Sequence, residues 1–297
     1  MGSSWTGVAG KRVLITGATS GIGLAAAREL ARRGARLSIV ARTDERAREA
    51  AREIKNAAGG EGVADIDVLM ADLSSQSSVR HLAAEVLERY PKLDVLVNNA
   101  GAVYTRRQVT DDGIELTWAV NHLAPFLLST LLLTRLQESA PARIVTTSSG
   151  AHQGARIPFD DLSGERSFGP GGFARYGATK LANILFTVEL ARRLDGTAVT
   201  ATCFHPGFVG SGFARNNGRL LSAGMLLVRP FARSPEKGAE TLVWLADSPE
   251  VDGQSGGYYV DKQRVLPSRA GQDMQVAHRL WQVSEEQTRQ SADHPAS

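Results

Sequence analysis

Hydrophobic positions along the first two-thirds of the chain follow two alternating periods. Short continuous apolar runs read as buried strands, and stretches with apolar residues three and four apart read as helices. The runs Lys11–Thr16, Arg36–Val40, Ile66–Met70, Leu93–Asn98, Arg143–Ser148, Thr197–Phe204 and Gly257–Val260 predict seven strands. Between them, Gly21–Arg33 carries Ile22, Leu24, Ala27, Leu30 and Ala31 at helical spacing and stops at Gly34. Asp44–Ala58 predicts a polar helix with Asp44 as its N-cap, and Ser75–Tyr90 a helix closed by Pro91. Asp112–Gln137 reads as one long helix, because Asp112 with Glu115 three residues on has the form of a capping box. Phe173–Leu194 and Ser234–Ala246 follow, the latter with Pro235 in its first turn, and Met274–Ser284 predicts a last helix.

Strand and helix in strict alternation imply βαβ units, since parallel strands need crossover connections. The predicted fold class is α/β, with a single doubly wound parallel sheet and helices on both faces. No repeat or linker divides the chain. Residues 1–266 read as one domain and 267–297 as a helical extension with a polar, frayed end. A hydrophobic fraction of 42% supplies a core for such a fold and excludes wholesale disorder.

Charge and rare residues narrow the function classes. The net charge is +3, without a Lys/Arg block, so nucleic acid is not an expected partner. One cysteine, Cys203, excludes an intrachain disulfide framework and a cysteine zinc cluster, and it reads as a small buried hydrophobe. No H-E-x-x-H pair occurs, and no metal is expected. Met1–Gly10 has no apolar signal core, and Leu123–Leu133 is far short of the roughly 20 residues of a membrane span. These features predict a cytoplasmic protein.

Between the first strand and first helix lies Thr16-Gly17-Ala18-Thr19-Ser20-Gly21-Ile22-Gly23. A nucleotide pyrophosphate approaches backbone amides at such a helix N-terminus, and glycine lets it come close. An NAD site places Asp or Glu at the end of the second strand. Here Val40-Ala41-Arg42 ends it, and the charge and fork of Arg42 suit a 2′-phosphate, which points to NADP(H) over NAD(H). Tyr176 and Lys180 stand four apart on a predicted helix, hence on one face. A lysine ammonium beside a phenol favours the phenolate, which is how a tyrosine becomes an acid/base near neutral pH.

The glycine motif, Asn98-Asn99-Ala100-Gly101, Ser148-Ser149 and Tyr176-x-x-x-Lys180, in this order, resemble the short-chain dehydrogenase/reductase family over roughly residues 10–262. Ser148-Ser149-Gly150-Ala151-His152, Lys180-Leu181-Ala182-Asn183-Ile184-Leu185-Phe186 and His205-Pro206-Gly207 are similar to its retinol dehydrogenase-like branch. The resemblance implies a Rossmann-type fold and an oxidoreductase that passes hydride between nicotinamide and a carbonyl or alcohol. It implies Tyr176 as proton donor and acceptor, Lys180 lowering its pKa and binding the nicotinamide ribose, and Ser149 bonding the substrate oxygen. Asn121 would hold a water linking Lys180 to solvent. Gly17, Thr19, Ser20, Gly21, Ile22 and Gly23 would cradle the cofactor, Asp72 and Leu73 would meet its adenine, and Asn98, Asn99, Ala100 and Gly101 would line the cleft. Pro206, Gly207, Val209 and Ser211 would approach the nicotinamide amide.

The sequence departs from the family pattern in two places. Ala124 stands where the asparagine motif N-x-x-G has glycine, and the 27-residue gap from Ser149 to Tyr176 is long, as in the retinol dehydrogenase-like branch. Asn121 also reads as an ordinary helix residue ahead of the kinking Pro125, His205 as a residue shaping the Pro206-Gly207 turn, and His152 as a pocket-lining candidate. Residues 207–234 correspond to the family's substrate lid. Phe208, Phe213, Leu220, Leu221 and Met225 make it apolar, which suits a hydrophobic carbonyl or alcohol. Its arginines, with no acid among them, also suit peripheral contact with an anionic membrane. A homo-oligomer is compatible with the family. Reduction of a C=C bond and a non-catalytic NADP(H)-binding sensor or scaffold stand as the alternatives.

Overall fold

The computed structural model describes residues 4–59, 66–209 and 232–290. Strands β1 (Arg12–Thr16), β2 (Arg36–Ala41), β3 (Asp67–Met70), β4 (Val95–Asn98), β5 (Ala142–Thr147), β6 (Val199–His205) and β7 (Tyr258–Val260) are joined by crossovers into one parallel sheet. An eighth strand, β8 (Gln263–Val265), pairs antiparallel with β7, and the order is β3-β2-β1-β4-β5-β6-β7-β8. The expected doubly wound α/β sheet is the fold observed. β8 was not among the predicted strands: its three residues are all exposed at the sheet edge, so no apolar run announces it.

Alternation along the strands divides the core. Val13, Ile15, Val95, Val97 and Val145 face one layer, where they pack with Leu30 of helix α1 (Gly21–Arg32) and Leu242 of α8 (Pro235–Asp247). Leu14, Leu96 and Ile144 face the other. They meet α3 (Gln76–Arg89), α5 (Ala124–Leu131) and α7 (Phe173–Arg193) through Leu82, Phe126 and Phe186. Strands buried on both faces are continuous apolar runs, which is why they could be read from the sequence.

Three local readings are corrected. Helix α2 (Asp44–Ala57) takes Thr43 as its cap, and Asp44, its first residue, pairs with Arg48 one turn on. Asp112 caps no helix of its own. Its carboxylate accepts from the Gln76 amide 2.8 Å away, at the start of α3, while Glu115 caps α4 (Leu116–Trp118) through the amides of Thr117 and Trp118. The expected single helix 112–137 is four pieces: α4, a π-helical turn Ala119–Leu123, α5 and α6 (Leu133–Glu138).

The last helix, α9 (Met274–Gln290), runs six residues past its expected end at Ser284. Gln287 accepts from the Trp118 indole at 2.9 Å, its carbonyl accepts from Gln76 at 3.0 Å, and Arg80 bonds the Thr288 carbonyl. Polar residues that look frayed in sequence thus have tertiary partners. Among the described residues no helix is long and apolar enough to cross a membrane.

Candidate active site

The cleft between the carboxyl ends of β1 and β4, where the strand order reverses, is drawn together by backbone contacts. Gly17 and Gly21 have φ of +68° and +56°, a left-handed conformation that costs glycine little. A Cβ on Gly17 would lie 2.8 Å from Cα of Ala100. One on Gly23 would lie 2.8 Å from the Gly17 carbonyl carbon and collide with the Gly17 oxygen and Asn99 Nδ2. Thr16 Oγ1 accepts from the amides of Asn99 and Ala100 at 3.0 and 3.1 Å, and Asn99 Nδ2 donates to the carbonyls of Thr16 and Gly17, each at 3.2 Å. The Gly17 loop and the Asn99 loop are therefore stitched to each other. Thr19 and Ile22 sit half-buried beside them. Ser20 caps α1 in extended conformation, but its hydroxyl makes no capping bond and no acid occupies the first turn. A pyrophosphate fits this cradle: a helix N-terminus whose cap hydroxyl makes no capping bond and whose first turn holds no acid, with glycines where a Cβ would crowd the loop.

Arg42 is exposed just past β2 and has no ion pair among the described residues. Asp72 is half-buried; its Oδ1 accepts from the amide and hydroxyl of Ser74 at 2.9 and 2.7 Å, and Leu73 beside it is also half-buried. Burial pushes up the pKa of the Tyr104 phenol, on which the charges of Arg42, Asp72 and Glu115 also act.

At the other end β5 delivers Ser149 and α7 delivers Tyr176 and Lys180. Ser149 stands near enough to Tyr176 to act on its phenol, and Ser149 Oγ accepts from the Ala151 amide at 3.2 Å. Ser148 instead turns inward and donates to the Lys180 carbonyl at 2.8 Å. Lys180 Nζ is 5.4 Å from the Tyr176 ring centroid and donates to the Thr147 carbonyl at 3.1 Å. It also lies 3.3 Å from where a Gly101 Cβ would project. Burial governs both groups. It pushes the Tyr176 phenol well above its ordinary value, against the opposing effect of Ser149, and brings the Lys180 ammonium down to about 8. The direction is opposite to the lowering implied by a lysine neighbour, and desolvation is its largest cause.

Asn121, fully buried in the π-helical turn, spends its side chain on the chain after Gly101. Oδ1 accepts from the Ala102 amide and Nδ2 donates to the Ala102 carbonyl, both at 2.8 Å. Pro125 has no N–H to give the Asn121 carbonyl four residues back, and Asn183 Nδ2 takes that oxygen at 3.0 Å. Ala124, in place of the family glycine, is accommodated in the core.

Asn183 also donates to the Thr147 carbonyl at 3.2 Å, so it shares an acceptor with Lys180. Its Oδ1 faces His122 Nδ1 at 3.4 Å, and His122 Nε2 meets Ser284 of α9 at 2.9 Å. Asn183, Thr16 and Thr147 had no role assigned from sequence. Asn183 alone had a signal, as a polar residue on the helix face of Tyr176 and Lys180.

Pro206 and Gly207 follow β6, and Val209 pairs with Arg233, so the two ends of the expected lid meet. Arg233 bonds Asp261 in bidentate fashion and lies 2.7 Å from where a Gly207 Cβ would be. Residues 210–231 of the lid, Ser211 included, lie outside the described residues. Cys203 is buried, with its thiol pushed up to about 12 by desolvation, as suits a core residue. His152, a pocket-lining candidate in sequence, is fully buried and bonded at both ring nitrogens.

A switch-point cleft with a glycine cradle, leading to a serine–tyrosine–lysine cluster, defines a doubly wound dinucleotide-binding oxidoreductase. The family model described as short chain dehydrogenase matches residues 11–160. Human retinol dehydrogenase 14 is 46% identical over 296 residues, covering 93% of this chain and 85% of its own. A candidate daunorubicin C-13 ketoreductase, DnrU, of Streptomyces sp. (strain C5) is 42% identical over 283 residues, covering 95% and 94%. The crystal structure of an uncharacterised protein from Mycobacterium paratuberculosis superposes with a TM-score of 0.75 at 33% identity, covering 97% and 98%. The chain belongs to the short-chain dehydrogenase/reductase family, and its relatives include the retinol dehydrogenases.

Proposed function

We propose that the protein is an NADP(H)-dependent reductase of apolar aldehydes or ketones, with Tyr176 as its acid/base. The observation that carries this reading is the convergence of Ser149, Tyr176 and Lys180 past the end of β5, with Lys180 Nζ 5.4 Å from the Tyr176 ring centroid and Ser149 acting on the Tyr176 phenol. Support for NADP(H) comes from Arg42, an exposed cation just past β2 that has no ion pair among the described residues. Support for an apolar substrate comes from the name of the retinol dehydrogenase relatives and from the sequence of the lid.

In this mechanism the substrate oxygen sits between the Ser149 hydroxyl and the Tyr176 phenol, which orient the carbonyl and polarise it. Bound NADPH supplies the hydride. As negative charge grows on the substrate oxygen, Tyr176 gives up its proton to it. The high pKa of the buried phenol keeps that proton in place until the oxygen becomes basic. The Lys180 ammonium stabilises the phenolate left behind. With a pKa near 8 it can pass on a proton and regain one near neutral pH. Asn121 and Asn183 keep the walls of the cleft in register, through Ala102 and Thr147. The Gly17–Gly23 cradle, Asp72, Leu73 and the Asn98–Gly101 loop hold the dinucleotide, with Pro206, Gly207 and Val209 at its nicotinamide end.

The test is NADPH and NADH oxidation by the purified protein over a panel of aldehydes, ketones and enones, with product identification. Alcohol formation with NADPH as the better donor is expected. NADPH binding without oxidation by any carbonyl would overturn the enzymatic reading in favour of a sensor. Saturated products from enones would move the chemistry to C=C reduction.

A further inference from the structure

We propose that the chain segment after β8 sets the catalytic loop, with His152 as the positioning residue between Ser268 and Ser149. The inference rests on the reading of Ser149 given above. Ser149 caps a single turn, Gly150–His152, and the last residue of that turn reaches back to the first. The His152 amide and His152 Nδ1 both contact the Ser149 carbonyl, at 3.2 and 2.7 Å. On the far side of the ring, Nε2 is 3.1 Å from the backbone nitrogen of Ser268.

These partners fix the proton. A backbone N–H can only donate, so Nε2 must be bare. A carbonyl can only accept, so Nδ1 must carry the hydrogen. His152 is therefore neutral, in the Nδ1–H tautomer, with both nitrogens satisfied. The ring is fully buried, and it stands edge-on to Tyr258 of β7 with centroids 5.1 Å apart. Burial lowers its pKa, in keeping with the neutral form. A proton on Nε2 would confront the Ser268 N–H.

Ser268 is itself held in place. Its carbonyl accepts from the Gly271 amide at 2.8 Å in the turn Arg269–Gln272. Gly271 packs so closely that an added Cβ would sit 3.0 Å from Pro267 and 3.3 Å from Ile184. Ile184 is one turn beyond Lys180 on α7. The helix that carries Tyr176 and Lys180 thus supports a turn, the turn fixes an imidazole, and the imidazole fixes the peptide of the serine that meets Tyr176. The same chain segment reaches the Asn121 side of the site through Ser284 and His122. A rigid ring that donates at one end and accepts at the other suits this post, because displacement of a catalytic group by 1 Å costs about 10²-fold in rate.

The ring tautomer and three variants test the proposal. A two-bond ¹H–¹⁵N correlation of the histidine rings, assigned by loss of one ring signal in His152→Phe, should show His152 as the Nδ1–H tautomer. His152→Phe should lower kcat about 10-fold or more and leave the NADPH Kd unchanged. His152→Asn, which keeps a donor near the Ser149 carbonyl, should recover part of that loss. Ser268→Pro, at a φ of −54° that proline tolerates, removes the N–H and the hydroxyl and sets its ring carbon where the hydrogen faced Nε2. It should turn the His152 signal into a tautomer mixture and lower kcat without moving the NADPH Kd.

An Nε2–H tautomer in the wild type would overturn the proposal, as would a Ser268→Pro protein with unchanged ring signal and kcat. Should His152→Phe not fold, His152→Asn assigns the signal and Ser268→Pro carries the test. Ser149→Ala, assayed alongside, separates the two readings. Full turnover in that variant refutes the role of Ser149 itself. A dead Ser149→Ala beside an unimpaired His152→Phe refutes the positioning role alone.

Discussion

Replacing Gly23 by alanine tests whether the two loops of the cradle approach as closely as the geometry requires. Helix propensity alone predicts a gain, since alanine is better than glycine in a helix by about 1 kcal/mol. The site predicts the reverse. The new methyl would collide with the Gly17 carbonyl oxygen, a backbone atom that cannot move without shifting the loop, and with Asn99 Nδ2. Forcing a methyl into such a place costs about 1–3 kcal/mol. Driving Asn99 aside breaks its bonds to Thr16 and Gly17, each worth roughly 0.5–1.5 kcal/mol. The net loss is on the order of 1–5 kcal/mol after the helix gain. In a protein of this size each kcal/mol moves Tm by about 2–4 °C. Gly238, in the first turns of α8, is the internal control. Its added Cβ would meet the end of the Val209 side chain and Ile22, which can yield. Thermal unfolding and NADPH titration should show Gly23→Ala impaired in both and Gly238→Ala close to wild type. A Gly23→Ala protein with wild-type Tm and wild-type NADPH affinity would refute the close approach.

Tyr176→Phe should keep NADPH affinity and lose about 10²-fold or more in turnover, the scale of general acid catalysis; steady-state kinetics near the wild-type value would rule the phenol out. Arg42→Asp should weaken NADPH binding by about 10–100-fold, from a charged contact worth roughly 1.5–3 kcal/mol. An unchanged NADPH/NADH ratio in titration would clear Arg42 of that role. His122 gives a pH dependence of stability. Burial lowers its folded pKa from 6.5 to about 4, so the unfolded chain binds the proton first. Its contribution is complete above 6.5 and is lost as pH falls toward 4, about 3 kcal/mol in all at 1.36 kcal/mol per pH unit. Urea unfolding across that window should show a steeper loss for wild type than for His122→Leu, and parallel curves would mean that His122 is not held neutral.

The parts of the molecule that could be read from sequence are those governed by local pattern. Buried parallel strands show as apolar runs, and the glycine cradle shows because Gly17, Gly21 and Gly23 are needed at fixed spacing. Tyr176 and Lys180 show because a helix puts them on one face. Other features depend on partners distant in the chain. Asp112 has the form of a cap, yet its partner is Gln76, 36 residues earlier. The polar end of α9 looks unanchored until Trp118, Gln76 and Arg80 are brought to it. β8 buries none of its three residues and exists because β7 offers it an edge.

The segment around Asn121 shows how a misread element can conceal a working one. In sequence, Pro125 looks like a kink in a long helix and Asn121 like a residue that precedes it. In the structure the missing N–H of Pro125 leaves the Asn121 carbonyl open, and the π-helical turn sets the Asn121 side chain against Ala102. Asn183 then closes the arrangement by bonding the Asn121 carbonyl and the Thr147 carbonyl that also receives Lys180. A proline that costs the helix a hydrogen bond thereby provides the acceptor through which the β4 loop, β5 and α7 are held together around the lysine. Helix continuity is given up at the point where three elements must meet, which is where a purely local reading of the chain was bound to fail.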